Sequence, residues 1–141
     1  MKKALRGGYE LDDDRDRVDR AAVHAYIGGE SYWAKGRRRD VMDGLVERAD
    51  RVVGLYAPDG AQVGFTRSVD VPDAFLAYLA DVYVLVGHRG RGLGVELVRF
   101  TVEEGLLAGR RWVLHTADAH RLYEKFGFGR GERLLERPGR S

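Results

Sequence analysis

The stretch Leu79-Ala80-Asp81-Val82-Tyr83-Val84-Leu85-Val86, then Arg89-Gly90-Arg91-Gly92-Leu93-Gly94, then the amphipathic run Val95 to Leu107, reads as a strand, a glycine turn and a helix. At the start of such a helix the first amides lack carbonyl partners and the helix dipole adds partial positive charge, so the turn is a ready anion site. Gly90, Gly92 and Gly94 let the backbone approach a bulky phosphate, and Arg89 and Arg91 add charge-assisted donors. The ligand these residues predict is a diphosphate.

Spacing narrows the choice. A dinucleotide fingerprint needs Gly-x-Gly-x-x-Gly inside repeated strand-helix-strand units, whereas this chain has Gly90-x-Gly92-x-Gly94 and no second glycine unit, although Asp118 stands near the distance of a ribose-binding acid. A Walker loop needs Gly-Lys-Ser/Thr, which is absent.

The pattern Arg/Gln-x-x-Gly-x-Gly/Ala fits Arg89 to Gly94, and here the chain resembles the pyrophosphate loop of the GNAT acetyltransferases, which bind acetyl-CoA. Behind a second apolar strand, Arg111 to Ala117, comes Asp118-Ala119-His120-Arg121-Leu122-Tyr123-Glu124-Lys125-Phe126-Gly127-Phe128. It is similar to the Ala-x-x-Leu-Tyr-Glu-Lys-x-Gly-Phe helix that closes the cofactor site in that superfamily. Ser31-Tyr32-Trp33-Ala34-Lys35-Gly36-Arg37 resembles a segment of a bacterial subgroup that also carries an Ala-Asp-Ala-His-x-Leu-Tyr helix. Together these resemblances span residues 24 to 128.

The composition sets outer bounds. A chain of 141 residues predicts one domain, residues 1–141, with loose ends at 1–8 and 138–141. No apolar run approaches the ~20 residues of a membrane span, and the basic start has no apolar core of signal-peptide length, so the expected location is the cytoplasm. There is no cysteine, which excludes disulfides, thiolate metal sites and an acyl-cysteine intermediate. His24, His88, His115 and His120 are not spaced as a metal site, and no metal is expected. Net charge is only +2, with the basic Lys35 to Arg39 and the tail set against the acidic Asp12 to Asp19. A nucleic-acid module would fit the basic patches, but no zinc knuckle, helix-turn-helix or RNP signature accompanies them.

Periodicity predicts a short strand at Tyr9 to Leu11, a helix over Asp16 to Ile27 stopped by Gly28-Gly29, and a helix over Asp40 to Ala49. Strands Arg51 to Tyr56 and Gln62 to Val69 flank the turn Ala57-Pro58-Asp59-Gly60 and predict an antiparallel hairpin. A long strand from Phe75 to Val86 follows. The helix after Gly92 presents Val95, Val98, Val102 and Leu106 on one side and ends at Gly109, and a last strand contains Leu134 and Leu135. The crossover from Val86 to Arg111 makes its two strands parallel in an otherwise antiparallel sheet. The class is α+β (mixed α/β): a mostly antiparallel sheet with a central parallel strand pair, flanked by helices. The resemblance implies that this pair splays apart around the pantetheine arm.

For function, the resemblance implies an acetyl-CoA-dependent N-acetyltransferase acting on a primary amine of a small molecule or peptide by direct attack in a ternary complex. Arg89, Gly90, Arg91, Gly92, Leu93 and Gly94 hold the diphosphate, and backbone groups of Val82, Tyr83 and Val84 pair with pantetheine. An amide of the same strand steadies the oxyanion, worth ~3 kcal/mol. Tyr123 lies near the cofactor sulfur, and a phenol of reference pKa about 10 is protonated at neutral pH and can act as an acid. Asp81, an acid inside an apolar strand, is either the base or a hydrogen-bonded group that orients structure or substrate. His115 and His120 are alternative bases. Glu30, Tyr32 and Trp33, in a loop between the first two helices, are the expected acceptor pocket, suited to a cationic or aromatic acceptor. By analogy a homodimer is expected. Two departures from the family stand out: Val86-Gly87-His88 replaces a proline before the loop, and Ala117-Asp118 replaces an asparagine. A non-catalytic acyl-CoA sensor is the alternative that keeps the loop but loses turnover.

Overall fold

The computed structural model describes residues 1–140. Six strands, β1 Lys2–Ala4, β2 Glu10–Asp12, β3 Arg51–Tyr56, β4 Gln62–Val71, β5 Leu76–Val84 and β6 Arg111–Leu114, form one sheet in sequence order. Every neighbouring pair is antiparallel except β5 and β6, which run parallel as the crossover requires. The helices are α1 Arg20–Gly29, α2 Arg39–Arg48, α3 Leu93–Glu103 and α4 His120–Glu124.

The sheet buries both faces. Against one, Leu93, Leu97 and Phe100 of α3 pack on Leu11, Val53, Leu55 and Val63. On the other, Val23 and Ile27 of α1 and Met42 and Val46 of α2 cover Val52, Phe65 and Tyr83. A third cluster joins Leu79, Val98, Val102 and Tyr123, tying α4 to α3 beside the β5–β6 junction.

Several boundaries differ from the sequence expectation, each for a local reason. Lys2–Ala4, expected within a loose end, pairs with β2 through Lys3 opposite Leu11; its lysines read as a polar tail because charged side chains suit a sheet edge. In α1 the first turn starts only at Arg20, since the Asp19 carboxylate caps it by accepting from Ala22 N–H at 3.0 Å. Gly28 continues α1 rather than stopping it, and a Cβ there would stand 2.8 Å from the Arg37 carbonyl of the following loop. Helix α3 ends at Glu103, not Gly109: the Arg51 Nη1 donates to the Phe100 and Thr101 carbonyls at 2.9 Å each, satisfying the helix end. Leu106 is consequently 82% exposed instead of facing the sheet.

Leu134 and Leu135 form no strand and are exposed, in a segment where Gly129, Gly131 and charged residues offer no alternating apolar face. The parallel pair therefore lies at the end of the six strands. Pro138 to Arg140 carry no regular structure, and Ser141 of the expected loose tail lies outside the described residues. Among the described residues no helix is long and apolar enough to cross a membrane.

Candidate active site

The site begins where β5 and β6 part. Their register runs from Leu76 opposite Arg111 to Leu79 opposite Leu114 and stops, while β5 continues to Val84. At that same level the β4–β5 register slips: Arg67 pairs with Asp81 and Ser68 with Leu79, leaving Ala80 as an extra residue. Such a bulge bends the strand and changes side-chain parity. Leu79 and Val82 accordingly face α3 and α4, while Asp81 and Tyr83 face the α1 and α2 side.

Beyond the bulge, the Leu85 N–H donates to the Val63 carbonyl at 2.8 Å. By antiparallel alternation Tyr83 also directs its backbone toward β4, and Val82 and Val84 direct theirs into the gap. Val82 thus presents its N–H and C=O, and Val84 its N–H, to an open edge, the Val84 carbonyl being taken by Arg89 Nε. Tyr83 instead turns its backbone to its β4 partner Phe65, and its side chain is buried, stacked on Tyr26 with ring centroids 4.2 Å apart.

The glycine loop leads from this edge into α3. Gly90 and Gly92 take φ values of 79° and 76°, a region that L side chains rarely enter, and Gly92 is the N-cap. The first helical bond is from Glu96 N–H to the Gly92 carbonyl, so the amides of Leu93, Gly94 and Val95 lack intrahelical partners. Nothing lies within 4 Å of where a Cβ on Gly90, Gly92 or Gly94 would sit, so the approach is open. Arg91 is exposed at this mouth. The Arg89 side chain turns back, donating from Nε to the Val84 carbonyl at 2.8 Å and from Nη2 to the Tyr26 hydroxyl at 3.0 Å, which fastens the loop to β5 and α1. This arrangement fits a diphosphate followed by an amide-bearing arm along Val84 and Val82.

In the gap lies a cavity of about 620 Å³, bounded by Leu79, Ala80 and Val82 on one side and Leu114 to Ala119 on the other. Tyr123 stands on its wall. That phenol is buried, edge-on to Phe128, and burial pushes its pKa up to about 12, with Tyr32 and Asp118 adding to the effect. No side chain or backbone group among the described residues hydrogen-bonds to its hydroxyl, which leaves the proton available to whatever enters the cavity.

Tyr32 and Trp33 line the same cavity from the α1–α2 loop. Ser31 holds that loop: its hydroxyl donates to the Ile27 carbonyl at 2.6 Å and accepts from Ala34 N–H at 3.1 Å. The Tyr32 hydroxyl accepts from Ala117 N–H at 3.0 Å, bridging the gap. Glu30, expected beside them, caps α1 from an exposed position and does not line the cavity; the turn after Gly29 points it to solvent.

Asp81 is fully engaged. Its Oδ1 accepts from Trp33 Nε1 at 2.7 Å, its Oδ2 from Arg67 Nε at 2.6 Å, and Arg37 Nη1 reaches both oxygens at 3.4 and 3.3 Å. Both of its oxygens are thus occupied by protein donors. Of the two histidines, His120 is exposed and lies off this cavity, whereas His115 lines it and bonds to the Tyr78 hydroxyl through Nδ1 and to Glu136 at 2.9 Å through Nε2.

With this geometry in place, comparison with known proteins decides the family: the sequence model described as "Acetyltransferase (GNAT) domain" matches residues 46–130. The chain belongs to the GNAT acetyltransferase family. A crystal structure of a protein assigned to the GNAT family from Xanthomonas campestris pv. campestris is 30% identical, with a TM-score of 0.84 over 97% of this chain and 96% of that one. One from Deinococcus radiodurans R1, described as an acetyltransferase, is 25% identical with a TM-score of 0.70, covering 97% and 93%. A GNAT acetyltransferase from Brucella melitensis, solved in complex with acetyl-CoA, shares the fold at 19% identity and a TM-score of 0.66, covering 89% and 85%. No curated protein matches the sequence. In this GNAT acetyltransferase Tyr123 and the open edge of β5 share one cavity, and β5 leads on into the glycine loop.

Sequence reasoning missed Arg67 and Tyr78 as site residues, and took Arg37 for part of a solvated basic cluster. The available signal was a charged Arg67 inside the apolar run Gln62 to Val69, the same anomaly as Asp81 in its own strand.

Proposed function

We propose that the protein transfers the acetyl group of acetyl-CoA to a primary amine by direct attack within a ternary complex. The observation that carries this reading is the opening between Ala80–Val84 and the segment after Leu114. The cavity there is walled by Tyr123 and reaches Tyr32, Trp33, Arg37 and Arg67 on the α1–α2 side, while β5, the strand that bounds it, runs on through the glycine loop to the free amides of α3. Thioester and amine can meet there from opposite faces of the sheet, and the binding of acetyl-CoA by the Brucella melitensis relative supports that cosubstrate.

In this mechanism the diphosphate sits on the amides of Leu93, Gly94 and Val95, and the backbone of Val82 and Val84 pairs with the pantetheine arm. The amine lone pair forms the C–N bond as the C–S bond breaks, and the departing thiolate takes the phenolic proton of Tyr123. A backbone N–H of β5 in the gap steadies charge on the acetyl oxygen. The ammonium proton leaves through Tyr78 to His115 Nδ1, because Glu136 accepts from Nε2–H and leaves Nδ1 as the open acceptor. Asp81 fixes Trp33, Arg37 and Arg67 on the acceptor side of the cavity.

Tyr123→Phe tests the acid. Turnover is expected to fall by ~10²-fold or more while acetyl-CoA affinity, read by calorimetry, changes little. Unchanged turnover removes Tyr123 from the mechanism. Following free CoA with a library of amines tests transfer itself, since a sensor binds acetyl-CoA and releases no thiol.

A further inference from the structure

We infer that the acceptor carries a carboxylate as well as its amine, an inference that rests on the acetyl-transfer reading above. What points to it is a pair of guanidinium groups, Arg37 and Arg67, sharing the single carboxylate of Asp81 on the wall of the cavity.

Arg67 rises from the middle of β4 with only 10% of its side chain exposed. Its Nε is used by Asp81, yet neither Nη1 nor Nη2 has a hydrogen-bond partner among the described residues. Arg37 uses Nη1 alone, on the two Asp81 oxygens and on Met42 Sδ at 3.5 Å. Asp81 has nothing left to offer either arginine, because Trp33 Nε1 takes a further position on Oδ1. Two positive charges therefore face one negative charge, and the excess lies on the cavity wall, on side chains only 10% and 21% exposed. The unpartnered η N–H groups of the largely buried Arg67 guanidinium open onto the cavity, and their planar fork matches the two oxygens of a carboxylate.

The rest of the wall agrees. The one carboxylate lining the cavity among the described residues, Asp118, belongs to the segment after β6, across the gap and toward Tyr123, and forms no ion pair with either arginine. His115, also on that segment, is taken by Tyr78 and Glu136. A positive wall on the β4 side and Asp118 on the Tyr123 side complement a zwitterion, with its amine toward the thioester and its carboxylate on Arg67 and Arg37. A polyamine would meet like charge there. At about 620 Å³ the cavity has room for a small amino acid beside the acetyl group, with Tyr32, Trp33 and Tyr78 against its side chain.

The test pairs each acid with its amide: alanine, phenylalanine, tyrosine, β-alanine and γ-aminobutyrate against their carboxamides, and Gly-Gly against its amide to separate free amino acids from peptide ends. Free CoA is followed with the unmodified protein and acetyl-CoA. For the best acid, kcat/KM is expected to exceed that of its amide by roughly 10- to 100-fold. Calorimetric binding of the N-acetylated acid and amide, with CoA present, reads the same preference without turnover. Arg37→Gln, which keeps the Arg67–Asp81 pair, is expected to shrink the acid-to-amide ratio at least threefold, and Arg67→Gln to erase it if that variant folds. A ratio near or below one in both rate and binding overturns the inference, as does absence of binding by every acid. An acid preference in binding with no CoA release from any amine supports the carboxylate site and overturns the transfer reading instead.

Discussion

Replacing Asp81 by asparagine separates a clamp from a base. The Asp81 side chain is fully buried and receives N–H groups from Trp33, Arg67 and Arg37, so the substitution leaves Arg67 nearly buried without its counter-charge. Breaking a buried ion pair from one side destabilises by about 3–5 kcal/mol. Arg37 is 21% exposed and can turn to water, whereas Arg67 cannot, which places the expected loss at the lower end, about 3 kcal/mol. Against a total of about 5–15 kcal/mol for a domain, that is a large fraction. In a urea titration the midpoint is expected to fall by ~1–3 M with little change in slope, given slopes of about 1–3 kcal/mol/M. Residual acetyl transfer is expected to keep the acidic limb of its pH–rate profile, because the group that takes the amine proton is still present. The opposite pattern, an unchanged urea midpoint with the acidic limb abolished, would refute the clamp and restore Asp81 as the base.

Other consequences follow from the same geometry. Gly92→Ala places a Cβ at φ 76° in open space; the exposed loop should relax, weakening acetyl-CoA binding in calorimetry roughly 5- to 30-fold, as about 1–2 kcal/mol of strain implies, with the urea midpoint nearly constant. Deleting Ala80 removes the unpaired residue and lets the ladder run straight past Leu79; a folded protein with no detectable acetyl-CoA binding is expected, and intact binding would show that the bulge does not open the gap. Burial pushes the Tyr56 and Tyr123 phenols up to about 12, against about 10 when unfolded, so the folded state favours the protonated form. Their contribution, on the order of 2 kcal/mol each, is fully present below about pH 10 and is lost as pH rises toward 12, which urea midpoints at pH 9, 10 and 11 should record.

The unit from β5 through the glycine loop to α3 was legible because its signals are local. Alternation marks the strand, Gly90 and Gly92 mark positive φ, and the apolar face of α3 marks the helix. The β3–β4 hairpin was legible for the same reason, through Pro58, Asp59 and Gly60. What escaped depends on partners distant in the chain. Lys2–Ala4 becomes a strand only because β2 offers it an edge, and α3 stops early only because Arg51 reaches its last carbonyls. The charged cluster was hidden likewise: Arg67 and Asp81 are ordinary anomalies in their own strands until register sets them opposite one another. Arg37 joins them from a loop whose position is fixed by Ser31.

Ala80 joins the two halves of the site. Without an extra residue, Leu79 and Asp81 would share a face, and one of the two surroundings they now occupy would be wrong: an aliphatic side chain among guanidiniums, or a carboxylate against Val98 and Val102. The bulge resolves that conflict and, at the same level, ends the β5–β6 ladder. One unpaired residue thereby turns Val82 toward the α3 side and Asp81 toward the α1–α2 side, and opens the edge between them. The cofactor route and the charged acceptor chamber are consequences of one irregularity in register, and so they meet where the sheet parts.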